Sequence, residues 1–513
     1  MRQLAALLLL FYPARAVCTT CAVCHPKEAE GFAKTPMAHS LALAGPQRED
    51  TFDHPFSRTR FRIQNSKAGV VQTLEREAES ESLPFQYVVG SGEHAFGYLT
   101  QVEGHLFQSP VSYYSKRQQW DVAPGYEQDS SPAFTRPVTA ECVSCHSGEP
   151  RPATETLNTY LIPPFRAMGI TCERCHGNAE LHVNNPVPGS ILNPAKLPEA
   201  ARDSICEQCH LAGEVRIPNP GKAVPDFRPG QTLEQSYTVY VAPHAPEDTV
   251  KVISQAEQLA LSMCKRSSGA KLWCGTCHNP HEQPAEPIEY FRQRCLRCHG
   301  ETLARQHASL ANCIGCHMPQ RPAKDGGHTA FTDHRISRHP EPAQARAASG
   351  ELVAWREPAP ELRDRNRALA LVTAGMQNHD PAQVIRGYRM LNRLPKLMQD
   401  DPAVLTVLGG ILLTGKESAE ASKRFQQALS MRPRYAPYEV NLAAALLNSG
   451  QPREAIQHLE HALQLDPLLE NAVLLLSSAY ESQGEAAKAA EIVARYRAAM
   501  GITRTDRARP GGR

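Results

Sequence analysis

The pattern Cys-x-x-Cys-His occurs seven times and takes fourteen of the sixteen cysteines in the chain. In this pattern the two thiols bond to the vinyl groups of a haem, and the adjoining histidine becomes the proximal ligand of the iron. The sequence therefore predicts seven covalently attached c-type haems (haem c). The attachment cysteines are Cys21, Cys24, Cys142, Cys145, Cys172, Cys175, Cys206, Cys209, Cys274, Cys277, Cys295, Cys298, Cys313 and Cys316. The proximal iron ligands are His25, His146, His176, His210, His278, His299 and His317.

Zinc ribbons and disulfides also use paired cysteines. Zinc sites built on Cys-x-x-Cys place their other ligands many residues away, and no structural zinc class requires a histidine directly after the pair. The histidine that follows every pair therefore favours haem. Cys18 and Cys264 lie outside the motifs, and neither is assigned a role.

Fourteen other histidines remain as candidates for the second axial ligands. We predict seven of these as distal iron ligands: His54, His94, His182, His281, His307, His328 and His334. Two alternatives stay open, namely histidines that only orient a neighbour and methionine ligands. The methionines concerned are Met37, Met263 and Met318, and the reserve histidines are His39, His105, His244 and His339. The remaining three, His379, His458 and His461, are expected on helix surfaces.

The N-terminus has the three parts of an export signal. Met1-Arg2-Gln3 is basic, Leu4 to Tyr12 is apolar, and Ala14-Arg15-Ala16 has the small-x-small form of a cleavage site. The apolar run is shorter than the about 20 residues that span a bilayer. We therefore predict a signal peptide over residues 1–16 and a mature protein that is periplasmic, or otherwise exported to the cell surface. A cytoplasmic apolar segment and a lipoprotein anchored through Cys18 are the alternatives.

Composition limits the partners and the source of the core. The formal net charge is +2, which argues against nucleic acid as a partner, and no transmembrane segment is expected in the mature chain. The chain has 41 prolines and only 6% aromatic residues. Long apolar runs are scarce between residues 130 and 340. Porphyrins should therefore supply much of the packed volume there, and this region should not fold without haem.

The order of motifs predicts a mainly α protein with a small β portion. An N-terminal haem segment with a β-rich insertion covers 17–138, and a six-haem cytochrome core covers 139–340. An Ala/Pro-rich linker over 341–360 leads to a helical domain over 361–502 and a basic tail over 503–513. Residues Phe52 to Trp120 carry the strand signals, with Glu103-Gly104 as a hairpin turn.

The helical domain repeats every 34 residues, the period of the tetratricopeptide repeat, with units that begin at Pro402, Ala436 and Glu470. The expected small and apolar positions recur in register in the first two units: Leu408, Gly409, Ala421, Phe425, Ala428, Leu442, Ala443, Ala455, Leu459 and Ala462. A weaker third unit keeps Tyr480 and Ala489, and a degenerate helix pair from Arg363 to Leu397 caps the array. Such an α-α solenoid offers a surface for a protein partner, although some arrays only brace a neighbouring domain.

Several runs resemble those of known multihaem cytochromes. The runs that carry the resemblance are Gly169 to Gly177 with His182, Cys274 to His281, and Cys313 to Pro319. They are similar to tetrahaem carriers of ammonia oxidisers, pentahaem nitrite reductases and octahaem hydroxylamine oxidoreductases. Tyr87 to Leu99, His328 to Ile336 and the repeats also resemble exported tetratricopeptide-repeat multihaem cytochromes. The resemblance implies that His182 and His281 bind irons of haems other than the ones attached beside them.

Two departures from these families weigh against catalysis. The Cys-x-x-Cys-Lys motif of nitrite reductases does not occur, and Cys264-Lys265 lacks the first cysteine of such a motif. The chain has seven sites rather than eight, and no tyrosine can be assigned the role of modifying a catalytic haem.

The sequence therefore predicts an exported heptahaem electron carrier whose repeat domain docks redox partner proteins and can be removed near Glu351 without loss of the haem spectrum. One alternative is an oxidoreductase that acts on a small nitrogen or sulfur species at one five-coordinate haem, walled by His94, Tyr113 and Tyr114. The other is a redox-sensing interaction scaffold.

Overall fold

A computed structural model describes residues 19–67, 69–242, 249–306, 312–337 and 351–504. The predicted signal peptide, Cys18, His244, His307, His339, the first half of the linker and most of the tail lie outside these residues. Within them, no helix combines the length and the apolar character needed to cross a membrane.

Most strands lie in the first two thirds of the chain, and two short strands follow later. Their bounds are β1 (Leu41–Leu43), β2 (Asp50–His54), β3 (Thr59–Ser66), β4 (Gly69–Arg76), β5 (Glu79–Phe85), β6 (Tyr87–Val89), β7 (Ala95–Val102), β8 (His105–Gln108), β9 (Val111–Tyr114), β10 (Gln119–Val122), β11 (Ser147–Pro152), β12 (Tyr160–Met168), β13 (Val215–Pro218), β14 (Tyr237–Val241), β15 (Gln320–Pro322), β16 (Ala330–Thr332), β17 (Val353–Ala354) and β18 (Ile502–Arg504). The β portion of the structure is therefore larger than the sequence predicts.

Two antiparallel sheets make up most of the region from residue 41 to residue 122. One has the order β18-β5-β4-β3-β2, and the other has the order β1-β6-β7-β9-β10 with β8 paired to β7. They share one apolar core, to which β3 contributes Phe61 and Ile63 and the second sheet contributes Tyr98 and Trp120. Side chains alternate between the core and solvent along β3, as expected for a strand with one buried face.

The predicted hairpin at Glu103-Gly104 is confirmed. Val102 pairs with His105 across a two-residue turn, and both turn residues have positive φ, +48° and +86°. Two-residue hairpins favour such turns because their twist matches that of the strands.

Short helices separated by loops carry the cysteine motifs. Their bounds are α1 (Thr19–Cys24), α2 (Pro26–Phe32), α3 (Ala140–Ser144), α4 (Glu173–His176), α5 (Glu180–Asn184), α6 (Glu199–His210), α7 (Gln255–Leu261), α8 (Met263–Ser268), α9 (Cys274–Cys277), α10 (Pro287–Gln306) and α11 (Cys313–His317). Small sheets lie between them: β11 with β12, β13 with β14 and β17, and β15 with β16. Most of the region that carries the motifs therefore has few long helices or strands that could form a hydrophobic core by themselves.

The C-terminal helices form the predicted repeat array, and the starts of its three units fall where the sequence places them. The helices are α12 (Arg363–Gln377), α13 (Pro381–Leu391), α14 (Lys396–Gln399), α15 (Pro402–Thr414), α16 (Ser418–Met431), α17 (Ala436–Asn448), α18 (Pro452–Leu465), α19 (Glu470–Ser482) and α20 (Ala486–Ala499). Most of the predicted packing positions are buried in one cluster that includes Phe425, Leu459 and Tyr480, whereas Leu408 belongs to the core at the start of the array. Gly409 lets α15 approach α16, since a Cβ there would lie 2.6 Å from the Phe425 ring.

The array is attached to the rest of the chain at both ends. At its start, α12 packs on β13 and β14 in a core that contains Val215, Ile217 and Ala368. At its end, Leu468 and Met500 enter the core of the two large sheets, and β18 pairs with β5. The structure thus differs from the predicted separable domain: residues 353–354 of the linker form β17, and residues 503–504 of the tail lie in β18.

Buried polar contacts reinforce both attachments. Arg365 on α12 is 2% exposed, donates to the Pro218 carbonyl, and forms an ion pair with Asp401 at 2.9 Å. At the other end, Nε2 of His105 on β8 lies 3.0 Å from Oδ1 of Asp466, and both side chains are buried. Groups of this kind fix a geometry, since each buried charge needs its partner.

Candidate haem-binding site

Each Cys-x-x-Cys-His motif lies on a helical turn or at its end. His25 N donates to the Cys21 carbonyl at 2.8 Å, and His176 N donates to the Cys172 carbonyl at 2.8 Å. In such a turn, residues three and four positions apart share one face, so the two thiols and the imidazole point the same way. Every cysteine of the described chain is free of disulfide bonds. The motifs are therefore arranged as three-point attachments on one surface.

These attachments face one cavity of about 3620 Å³. A typical small-molecule pocket measures about 300–1000 Å³, so this cavity could hold several large planar groups. Its wall includes all seven motif histidines and thirteen of the fourteen motif cysteines, Cys142 being the exception. Four of the predicted distal histidines also line it: His94, His182, His281 and His334.

Three motif histidines each face a histidine from elsewhere in the chain. The ring centres of His25 and His182 are 6.2 Å apart, with the rings 21° from parallel. Those of His176 and His281 are 5.8 Å apart, at 19°. Those of His278 and His334 are 6.2 Å apart, at 25°. Each pair joins a motif to a histidine that lies outside that motif.

The spacing of these pairs fits an iron between the rings. A metal–imidazole bond is about 2 Å, and the nitrogen lies roughly 1 Å from its ring centre, so two imidazoles on opposite sides of one metal have centres roughly 6 Å apart. Burial also favours the neutral imidazole that binds metals. It lowers the pKa of His278 to about 4, with contributions from His334 and His210, and it lowers the pKa values of His281 and His334.

Hydrogen bonds hold several of these rings with Nε2 available. Nδ1 of His176 lies 2.9 Å from the Leu192 carbonyl, and Nδ1 of His317 lies 2.8 Å from the Ser337 carbonyl. Nδ1 of His334 lies 2.9 Å from the Thr332 carbonyl, and Nδ1 of His182 lies 2.8 Å from Ser190 Oγ. Metal-binding histidines usually make this second contact, which fixes the ring and its tautomer.

Two predicted distal ligands, His54 and His328, lie elsewhere. Nδ1 of His54 is 2.8 Å from Ser57 Oγ and its Nε2 is 3.2 Å from the Glu127 carbonyl, so both ring nitrogens are engaged. Nε2 of His328 is 2.9 Å from Asp121 Oδ2. Neither residue lines the cavity. The structure therefore gives both a role in the packing of the sheet region rather than a place beside a motif histidine.

His94 lies in the cavity wall without facing a motif histidine. Its ring centre is 4.2 Å from that of Phe331, and its buried Nδ1 has no hydrogen-bond partner among the described residues. Burial lowers the pKa of His94 and keeps it neutral. Among the reserve residues, Met37, Met263 and Met318 line the cavity, whereas His105 is bound to Asp466.

We expect that His281→Ala converts one low-spin haem, the one attached at Cys172 and Cys175, to a high-spin haem, because an axial ligand is removed from the iron held by His176. Electron paramagnetic resonance measures the change. His54→Ala is the matched control and should leave the spin states unchanged, since both nitrogens of His54 bind protein groups. A new high-spin signal in the control alone would contradict this assignment.

The cysteine pairs of different motifs also contact one another. The side chain of Cys145 lies beside that of Cys209, and the side chain of Cys206 lies beside that of Cys274. The fourth motif therefore lies against both the second and the fifth.

Sequence reasoning missed the residues between the cysteines. Arg174 Nη2 donates to the Ser144 carbonyl at 3.0 Å, and Gln208 Nε2 donates to the Arg174 carbonyl at 3.1 Å. Cys145 Sγ lies 3.6 Å from the Gln208 carbonyl and closes the ring of contacts. Three haem loops are thus joined directly through their intervening residues. The only sequence signal was that polar residues occupy these positions, which is not specific.

Comparison with known proteins supports two parts of this description. The family model described as cytochrome c554 and c-prime matches residues 112–177, a range that includes the second and third motifs. The tetratricopeptide-repeat model matches residues 446–501. The chain therefore contains a c554/c-prime-like domain and tetratricopeptide repeats, which is consistent with a cytochrome that carries a repeat of the kind that commonly mediates protein interactions. The cytochrome match implies haem c as the cofactor.

Likeness to single proteins adds little. No curated protein matches the chain. A crystal structure of MamA is 20% identical, with a TM-score of 0.24, over 26% of this chain and 76% of that chain. A MamA structure from MSR-1 is 25% identical, with a TM-score of 0.24, over 28% and 79%. An O-GlcNAc transferase of Thermobaculum terrenum is 24% identical, with a TM-score of 0.22, over 24% and 23%. Nothing about this chain is inferred from TM-scores this low.

Proposed function

We propose that the protein is an exported heptahaem cytochrome c that passes electrons along a chain of covalently bound haems. The observation that carries the proposal is the single cavity of about 3620 Å³ that all seven motif histidines line. Cys21 to His25 belong to this wall as fully as the six later motifs do. Seven attachment points on one cavity are what a chain of neighbouring haems requires.

Haem c supplies one-electron redox chemistry when it is bound, and the protein determines its position and its potential. The chain's contribution here is positional. The cysteines would fix each group to a helical turn, the paired imidazoles would bind an iron placed between them, and the contacts of Arg174 with Ser144 and of Gln208 with Arg174 hold neighbouring motifs together. A motif histidine with a second imidazole opposite it would leave no open site on a bound iron, which would suit electron transfer rather than catalysis.

Redox partner proteins are the proposed partners, with the repeat array as their docking surface. The array is packed on the sheets near β5 and on β13 and β14, so a partner would contact its remaining faces. Bulky apolar side chains lie exposed on the array at Leu397, Met431 and Leu474. Export to the periplasm or the cell surface follows from the proposed signal over residues 1–16.

A second candidate is an oxidoreductase that acts on a small nitrogen or sulfur species. Among the described residues, no second imidazole is paired with His146, His210, His299 or His317 at the spacing of the other three pairs. His94 and Tyr114 line the cavity and could wall such a site.

One experiment tests both candidates on the mature protein. Intact mass should give seven haems and an N-terminus near Val17, and the resting electron paramagnetic resonance spectrum should be dominated by low-spin haem. Five or fewer haems in protein matured with sufficient haem would contradict the heptahaem proposal. A high-spin haem that binds nitrite, hydroxylamine or sulfite with turnover would replace the carrier by the oxidoreductase.

A further inference from the structure

The loop of the fourth motif has contacts on two sides. On one side, Gln208 joins it to the loops of the second and third motifs through the Arg174 and Cys145 contacts. On the other side, its neighbour Glu207 points away from those loops and toward the segment that leads into the repeat array. The fourth motif thus joins haem loops on one side to the segment before the array on the other.

Glu207 is a buried carboxylate with both oxygens bonded. Its side chain is 7% exposed. Arg356 Nη2 donates to Oε2 at 2.6 Å, and Trp355 Nε1 donates to Oε1 at 3.0 Å. Burying a carboxylate is costly unless it is paired and hydrogen-bonded, and removing one partner of such a pair leaves an uncompensated charge. Glu207 therefore depends on two residues that lie about 150 positions later in the chain.

Arg356 is itself held firmly. Its Nε donates to Glu234 at 3.0 Å, and its Nη2 also donates to Ser204 Oγ at 2.8 Å. The backbone N of Trp355 donates to the Val239 carbonyl at 2.8 Å, directly after β17. The first array helix, α12, begins at Arg363, seven residues after Arg356. A short, fixed segment thus connects the array to the residue between the two cysteines of the fourth motif.

We propose that Arg356 is a positioning residue for the haem attached at Cys206 and Cys209: it compensates the charge of Glu207 and holds the loop, so that attachment of the repeat array sets the reduction potential of that haem. The inference rests on the proposed function, since it requires a haem at this motif. A negative charge that is no longer compensated beside a haem stabilises the ferric state, and hydrogen bonding and burial around a haem are established levers on its potential.

The test uses the full-length, haem-loaded protein and a potentiometric titration followed by visible absorbance. Arg356→Met should move one haem to lower potential, and Glu207→Gln, which removes the negative charge beside the haem and leaves Arg356 with Glu234 as its carboxylate partner, should move one haem to higher potential. A tenfold change in the reduction equilibrium corresponds to about 59 mV for one electron, and we expect a shift of about that size in each variant. In the double variant Arg356→Met/Glu207→Gln, the reduction potential should return close to that of the unmodified protein. Arg356→Lys should shift the potential less than Arg356→Met does.

The matched control is Arg363→Met in the same segment. Arg363 pairs with Glu357 at 2.9 Å, but both side chains are exposed, so the potentials should not change. Equal potentials in Arg356→Met and in the control, with all haems present by mass, would overturn the inference. If the Arg356→Met protein does not mature, the Glu207→Gln variant tests the inference instead. Unchanged haem potentials in that variant would also overturn the inference. Absence of haem from the Cys206–Cys209 peptide of the unmodified protein would instead contradict the proposed haem count.

Discussion

Removal of residues 351–513 is expected to prevent the rest of the chain from accumulating as a stable haem protein. The deletion takes β18 from the edge of β5, takes Leu468 and Met500 from the shared core of the two sheets, and takes α12 from β13 and β14. Burial of a single Leu or Met side chain contributes about 1.5–3 kcal/mol, and many such side chains would be exposed at once. We expect less than about a tenth of the normal yield, because native domains are stable by only about 5–15 kcal/mol.

Yield and haem content of the truncated chain are measured by haem absorbance against total protein. A chain that ends at Arg504 is the matched control, since it loses only residues after β18 and should behave as the full-length protein. If the truncated chain keeps the full haem spectrum and melting temperature, the array is a separately folded docking unit, as the sequence alone predicted.

Asp466→Ala should lower the stability of the protein by about 3–5 kcal/mol, because it leaves His105 buried and without its ionic partner. The two side chains are 5% and 6% exposed, and they join β8 to the end of α18. The melting temperature followed by circular dichroism measures the change. Asp400→Ala is the control: Asp400 pairs with Lys396 on the surface, and loss of such a pair should cost less than about 1 kcal/mol. Equal losses of stability in the two variants would show that the buried pair stabilises the protein no more than the exposed pair does.

The same pair gives the expected direction of the pH dependence. Burial lowers the pKa of His105, but the hydrogen bond and charge of Asp466 outweigh it, so folding raises the pKa above its ordinary value of 6.5. Protonation thus favours the folded state. The stabilisation is complete below about pH 6.5 and is lost as the pH rises through the raised pKa of the folded protein. Burial also raises the pKa of Glu81, on β5 of the same region, to about 8, which acts in the same direction. Melting temperatures should therefore fall from pH 6 to pH 9.

Features set by neighbours in sequence could be predicted. The three full repeat units begin at Pro402, Ala436 and Glu470 as the 34-residue period requires, because the small residues at fixed positions of a repeat contact residues of the same or the next helix. The hairpin at Glu103-Gly104 depends on two residues alone. The helical turns that carry the Cys-x-x-Cys-His motifs likewise depend only on residues close together in the sequence.

Features that depend on distant segments could not be predicted. His54 and His328 have sequence contexts as good as that of His334, but distant residues of the chain supply partners for them, the Glu127 carbonyl and Asp121. Which histidine lies opposite a given motif histidine depends on how separate loops pack together, and the spacing of residues in the sequence does not determine that packing. The pairing of Glu207 with Arg356 and of β18 with β5 joins residues far apart in the chain, so composition alone described both segments as linker or tail.

The pairing of β18 with β5 also determines an order of events during synthesis. Ile502 is the partner of Glu81, about 420 residues earlier, so this sheet edge stays open until almost the whole chain exists. At about 5–20 residues per second, that interval is on the order of half a minute or longer. The first motif emerges before this interval and the other six emerge within it, so the thiols of all seven motifs are made before β18 pairs with β5. Closure of this sheet edge is thus a late step in folding, and a chain interrupted before Ile502 cannot complete it.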